Sequence, residues 1–224
     1  MKPRYYLFAI AVFCNLLVIS GAFSDSSTLA IPSNAVELGS KERSPASAKS
    51  TARSRIVAQV DDIAQQITVR IDSTQHGNGS GVIVAKEGNT YYVLTASHVV
   101  EKPDRYQIVT PDGQKYSVNS ANTTILEGVD LAVVQFQSSK THTVATLANY
   151  DLGIDKSQVV FVSGFPATNA GTPKRLLTAG ELFSQVMGTF LVKDFYSLTN
   201  GYELVYSNLS YRGMSGGAIL DRLG

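Results

Sequence analysis

From Ile67 to the end of the chain, apolar residues come in short runs rich in Val, Ile, Tyr and Phe, several of them closed by glycine, proline or asparagine. Runs of that length and composition are strands, because a helix needs a longer stretch with a 3.6-residue period. Residues 67–71 alternate apolar and polar, and His76-Gly77-Asn78-Gly79-Ser80-Gly81 reads as a glycine-rich turn. Residues 82–86 and 91–95 flank Glu87-Gly88-Asn89, and residues 106–110 and 115–118 flank Pro111-Asp112-Gly113. Each set predicts a hairpin. Residues 131–136 are continuously apolar, the pattern of a buried strand. Strands so closely spaced predict a small antiparallel barrel. After a polar connector at 138–157, a second series follows at 158–163, 176–183, 190–196, 202–207 and 217–220.

The first 55 residues are of another kind. Lys2 and Arg4 precede an apolar run over residues 7–19, and Ser20-Gly21-Ala22 supplies small residues before Phe23. This is the pattern of a secretory signal peptide over residues 1–22, cleaved on export to a bacterial periplasm or the medium. The run is short for a spanning helix, so no stable membrane contact is expected once it is removed. Residues 23–55, rich in Ser, Ala, Thr and Lys, read as a disordered linker or propeptide. A short helix is expected over 56–66, where Ile56, Val60 and Ile63 recur. The N-terminal barrel is then assigned to residues 56–140 and the C-terminal one to 141–224.

Of the chain's 19 basic and 18 acidic side chains, the signal removes only Lys2 and Arg4, and it also takes the single cysteine, Cys14. The remainder is nearly neutral, which gives no electrostatic basis for nucleic acid as a partner. Without thiols there is no disulfide, and the domain must be held by its own core. Scattered carboxylates and only 3 histidines imply no metal and no cofactor.

Three stretches carry chemistry: Thr95-Ala96-Ser97-His98, Asp130-Leu131-Ala132-Val133 and Gly213-Met214-Ser215-Gly216-Gly217. A serine hydroxyl is a poor nucleophile until a base takes its proton. Glycines around Ser215 permit a tight turn that projects the hydroxyl, with the Gly213 and Ser215 N–H groups converging as an oxyanion hole. His98 lies just beyond a buried strand, and its ordinary pKa near 6.5 suits a general base. Asp130 directly precedes another buried strand, where a carboxylate can orient an imidazole. Among rival acids, Asp112 is explained by its turn, and Asp104 and Asp151 lack a buried flanking strand. His76 and His142 read as ordinary surface or packing histidines.

With Gly79-Ser80-Gly81-Val82-Ile83 and Val160-Phe161-Val162-Ser163-Gly164-Phe165-Pro166, these stretches make residues 58–224 resemble the trypsin-like, chymotrypsin-fold serine endopeptidases. The likeness is greatest to their bacterial disulfide-free branch, near the HtrA-type and glutamyl-endopeptidase-like enzymes. The resemblance implies an all-β fold of two antiparallel six-stranded barrels and hydrolysis of polypeptides. It makes His98 the base, Asp130 the orienting acid, Ser215 the nucleophile and Gly213 with Ser215 the oxyanion hole. It puts Leu209 near the floor of the substrate pocket, against a basic preference there. Met214 stands where animal trypsins carry an aspartate, so activation through a new N-terminal ammonium is not expected. The family pattern continues past the serine strand, so with the chain ending at Gly224 the second barrel is expected to be incomplete.

Two other readings stand beside this one. Gly213 to Gly217 also fits the nucleophile elbow of α/β-hydrolases, but that fold needs its acid and histidine after the serine. The other is a pseudoprotease, an exported module that binds peptides or proteins without cutting them.

Overall fold

The computed structural model describes residues 45–118, 123–148, 158–183 and 205–224. Helix α1 (Pro45–Ile67) comes first. Its proline sits at the first helical position, where a missing N–H costs nothing, and alanine, lysine and arginine dominate the next turns. Residues 45–55, read above as part of a linker, are therefore helical. They carry helix propensity without an apolar stripe, which is why hydrophobic periodicity alone did not find them. Further along, Val60, Ala64 and Ile67 share one face and are buried against Phe161, Ala218 and Leu220.

The first sheet holds β1 (Thr68–Ser73), β2 (Asn78–Glu87), β3 (Thr90–Thr95), β4 (Tyr106–Val109), β5 (Lys115–Ser117), β6 (Thr124–Leu126) and β7 (Leu131–Gln137). Their spatial order is β5-β4-β1-β2-β3-β7-β6, antiparallel throughout. The sheet curls until Tyr116 of β5 meets Phe136 of β7, with ring centroids 4.7 Å apart. Inside lie Val69, Ile71, Ile83, Tyr91, Val93 and Ile108. Both predicted hairpins form, as β2–β3 and β4–β5. Two details differ from the sequence reading. Asn78, Gly79, Ser80 and Gly81 belong to β2 rather than to a turn, because β1 pairs with them residue by residue. The short β6, with no alternating pattern of its own, exists through its pairing to β7.

A one-turn helix, α2 (Ser97–Val100), follows β3. The second sheet holds β8 (Gln158–Gly164), β9 (Leu176–Phe183), β10 (Val205–Tyr206) and β11 (Ala218–Leu220), ordered β10-β9-β8-β11 and antiparallel. The strand expected at 190–196 lies outside the described residues. The all-β, two-sheet architecture is the chymotrypsin-like one that the sequence implied.

Polar side chains join the sheets. The Thr68 and Ser163 hydroxyls, both buried, are 2.9 Å apart. Arg70 grips Asp72 with two hydrogen bonds of 2.6 and 2.8 Å and donates to the Pro173 carbonyl at 3.3 Å. Arg175 pairs with Asp61 of α1 and donates to the Ser163 hydroxyl at 3.2 Å. His142 packs among Tyr91, Tyr116 and Phe136, as a packing histidine should.

If α1 is part of the core, Val60→Ala should cost about 2–3 kcal/mol, the loss of two buried carbons plus a cavity. Urea unfolding followed by circular dichroism measures it. An unchanged midpoint would mean that α1 does not pack on the second sheet.

Candidate active site

Antiparallel pairing brings His98 and Asp130 together. β3 and β7 are in register with Thr95 opposite Ala132, so the chain leaving β3 and the chain entering β7 meet at one edge. There α2 turns the chain so that His98 Nδ1 lies 2.7 Å from Asp130 Oδ2. The other carboxylate oxygen accepts from the Ser97 hydroxyl at 2.6 Å and the His98 N–H at 3.1 Å. Val99 packs onto Gly79 of β2, where any larger side chain would collide with it.

The surroundings sort the charges. The hydrogen bond to Asp130 pushes the His98 imidazole above its ordinary value, against the opposing effect of burial, and the Asp130 and Glu101 charges add to the rise. Burial alone would raise the Asp130 carboxyl. The bonds from the His98 ring, the Ser97 hydroxyl and the His98 N–H outweigh it and hold the group below its usual range. The rival acids are engaged elsewhere: Asp104 by the Ser73 and Thr74 hydroxyls, Asp112 by Thr110 and Lys140. Asp151 lies outside the described residues.

Ser215 sits in a tight turn closed by Met214 N–H to Tyr211 C=O and Gly217 N–H to Met214 C=O, each 3.0 Å. Gly213 and Gly216 have φ of +92° and +79°, a conformation that favours glycine. Space excludes side chains there too. A Cβ on Gly213 would lie 2.6 Å from the Ala167 nitrogen, and one on Gly216 2.7 Å from the Ala96 nitrogen. The second approach sets the Ser215 turn against the end of β3, two residues before His98. Among the described residues no hydrogen bond joins the Ser215 hydroxyl to His98. Such contacts commonly tighten only when substrate is bound.

Among the described residues, neither the Gly213 nor the Ser215 N–H donates to a protein group. The Arg212 carbonyl accepts from Ala167 N–H at 2.7 Å, and in a trans peptide that turns the Gly213 N–H the opposite way. Met214 is fully buried and brings no charge. Leu209 is 66% exposed, and its carbonyl accepts from the Thr178 hydroxyl at 3.0 Å. Ser97 and Ser80, each holding part of this arrangement, received no role from the sequence. Serine is too common for its type to signal anything, and only the fold shows what these two touch. Among the described residues, no group of three or more His, Cys, Asp or Glu is placed to hold a metal.

The family model of the trypsin-like peptidase domain matches residues 79–224. A serine protease Do-like HtrA of Lactococcus lactis is 30% identical over 148 residues, 64% of this chain and 34% of that protein. Another of the same description, from Bacillus subtilis, is 32% identical over 78 residues, 35% of this chain and 17% of that protein. The chain thus matches about a third, or less, of the length of these relatives. The crystal structure of Deg5 superposes with a TM-score of 0.55 at 19% identity, covering 78% of this chain and 81% of that one, a likeness of fold.

The His98–Asp130 pair can be tested without turnover. Because the folded value of His98 is raised, the pair stabilises the fold below about pH 6.5. That contribution is lost as pH rises through the folded value. The NMR titration midpoint of the His98 ring should lie above 6.5 and fall in Asp130→Asn. Equal midpoints in the two proteins would show that the carboxylate does not govern the imidazole.

Proposed function

This chain belongs to the trypsin-like peptidase domain family, and we propose that it is a serine endopeptidase using Ser215, His98 and Asp130. The observation that carries the proposal is a half-buried carboxylate bonded to the His98 Nδ1, beside a glycine-bounded serine turn with two N–H groups that donate to no protein group among the described residues. With Nδ1 engaged by Asp130, the other ring nitrogen is left to act as base.

In the proposed reaction the Ser215 hydroxyl attacks a substrate carbonyl while His98 Nε2 takes its proton. The developing oxyanion is received by the Gly213 and Ser215 N–H groups. Collapse of the tetrahedral species breaks the C–N bond, and His98 returns the proton to the leaving amine. Water, with His98 again as base, then releases the acid and restores Ser215. The substrate is a polypeptide. Leu209, six residues before Ser215 in the chain, is exposed and uncharged, and favours an uncharged side chain before the scissile bond over a basic one. The pattern of residues 1–22 supports an exported, bacterial protein.

The alternative is a peptide-binding pseudoprotease, in which Ser215 forms no acyl-enzyme. Intact mass after exposure to a fluorophosphonate separates the two readings. The endopeptidase adds one phosphonyl group per chain, and Ser215→Ala adds none. Peptide binding without any adduct would favour the pseudoprotease.

On peptide substrates, Ser215→Ala should lower kcat by about a millionfold and Asp130→Asn by about ten-thousandfold. Since the base works deprotonated and its pKa is raised, kcat/KM should increase with pH through a midpoint above 6.5. A pH-independent rate from 5 to 8 would remove His98 from the mechanism.

A further inference from the structure

Ser80 belongs to the first sheet, is 0% exposed, and takes part in three hydrogen bonds to the other half of the molecule. Its hydroxyl donates to the Gly213 carbonyl at 2.8 Å and accepts from the Phe165 N–H at 2.8 Å. Its own N–H donates to the Ser215 carbonyl at 2.9 Å. A further bond reaches β3, where the Ser80 carbonyl accepts from the Thr95 hydroxyl at 2.6 Å. Two residues earlier, Asn78 donates to the Phe165 carbonyl at 2.8 Å, so β2 grips Phe165 through both its N–H and its C=O. One buried residue therefore touches the strand leading to His98, the turn bearing Ser215 and the segment after β8.

We infer that Ser80 is a positioning residue, whose buried hydroxyl fixes the Gly213–Ser215 turn against the His98-bearing sheet and so aims its two N–H donors. The inference rests on the reading of Ser215 as nucleophile. A hydroxyl offers one proton and accepts others, and this one bridges a carbonyl and an N–H from different segments. Without it, both groups would be left unpaired in a largely dry place, a costly state that the chain relieves by moving. The freest point for movement is Gly213 at φ +92°. Rotation about Gly213 re-aims the peptides on either side of its carbonyl, and those peptides carry the Gly213 and Ser215 N–H groups. Among the described residues Ser80 makes no hydrogen bond to His98 or Asp130, so its loss should leave their pairing alone.

The test uses the whole chain as wild type, Ser80→Ala and Ile108→Val. The last variant loosens the first sheet's core in β4, away from the turn, and controls for lost stability. Three readouts are taken: the rate of fluorophosphonate labelling, the pH midpoint of that rate, and amide exchange at Phe165. Ser80→Ala should label about 10- to 100-fold more slowly, less than the roughly 100- to 1000-fold loss from deleting an oxyanion donor. Its pH midpoint should stay at the wild-type value while Phe165 loses exchange protection. Ile108→Val should show neither the slow labelling nor the Phe165 effect.

Labelling of Ser80→Ala at the wild-type rate, or slowed only as much as Ile108→Val, would overturn the positioning role and leave the endopeptidase reading intact. A wild-type chain that is folded yet never labelled would overturn that reading itself. If Ser80→Ala does not fold, Asn78→Ala takes its place. It should slow labelling in the same direction by a smaller factor, and no change would count against the inference.

Discussion

The registry of β3 against β7 is the constraint on which the site depends. Tyr91, Val93 and Thr95 of β3 point inward, as do Ala132, Val134 and Phe136 of β7. Because side chains alternate with a period of two, a slip by one residue would turn an entire apolar set to solvent. The core thus holds Thr95 opposite Ala132, and the residues just outside the two strands inherit that alignment. His98 and Asp130 need no dedicated scaffold. Their separation follows from hydrophobic packing some distance from either of them.

What packing within one sheet cannot do is fix the second sheet relative to the first. That task falls to polar groups: Ser80, the Thr68–Ser163 hydroxyl pair, and Arg70 held by Asp72 while it reaches Pro173. Apolar contact is weakly directional, whereas a hydrogen bond between buried groups is lost over a few tenths of an ångström. Each such group carries a desolvation cost unless its partner is in place, so an alternative docking of the sheets is penalised several times over. Helix α1 adds apolar area to the same junction, with Val60 and Ala64 set against Phe161 and Leu220. The chain positions its two halves by satisfied hydroxyls and guanidiniums where other proteins of this size use disulfides.

Much of this was legible in the sequence because the relevant signals are local. The β2–β3 and β4–β5 hairpins are written in alternating runs around Glu87-Gly88-Asn89 and Pro111-Asp112-Gly113. The pairing of His98 with Asp130 follows once both are placed at strand ends. The parts that were not legible depend on partners distant in the chain. β6 exists because β7 offers it an edge, and Asn78 to Gly81 is a strand because β1 lies beside it. The first half of α1 was missed for a different reason, since it has propensity without periodicity. Ser80 and Ser97 lie within the motifs, but nothing local to them assigns either a task. A buried serine is defined by what it touches, and Ser80 touches residues 85 and 133 positions away.

The electrostatic gradient across the site bears on how it would work. The Asp130 side chain is 22% exposed and the His98 side chain 45%, so the carboxylate lies behind the imidazole, which faces the water. In that position Asp130 keeps its charge because three donors replace the solvent it has lost. A peptide lying over His98 would displace water from the outer face of the ring. The attraction between imidazolium and carboxylate would then act through a medium of lower effective dielectric and strengthen. Desolvation by itself makes the imidazolium harder to form, so the base gains strength on binding to the extent that this attraction exceeds that penalty. The same burial would strengthen the two N–H donors of the Ser215 turn, since among the described residues neither is shared with another protein group. On this argument, substrate binding and activation of the site are a single desolvation event, and the half-exposed histidine is what permits it.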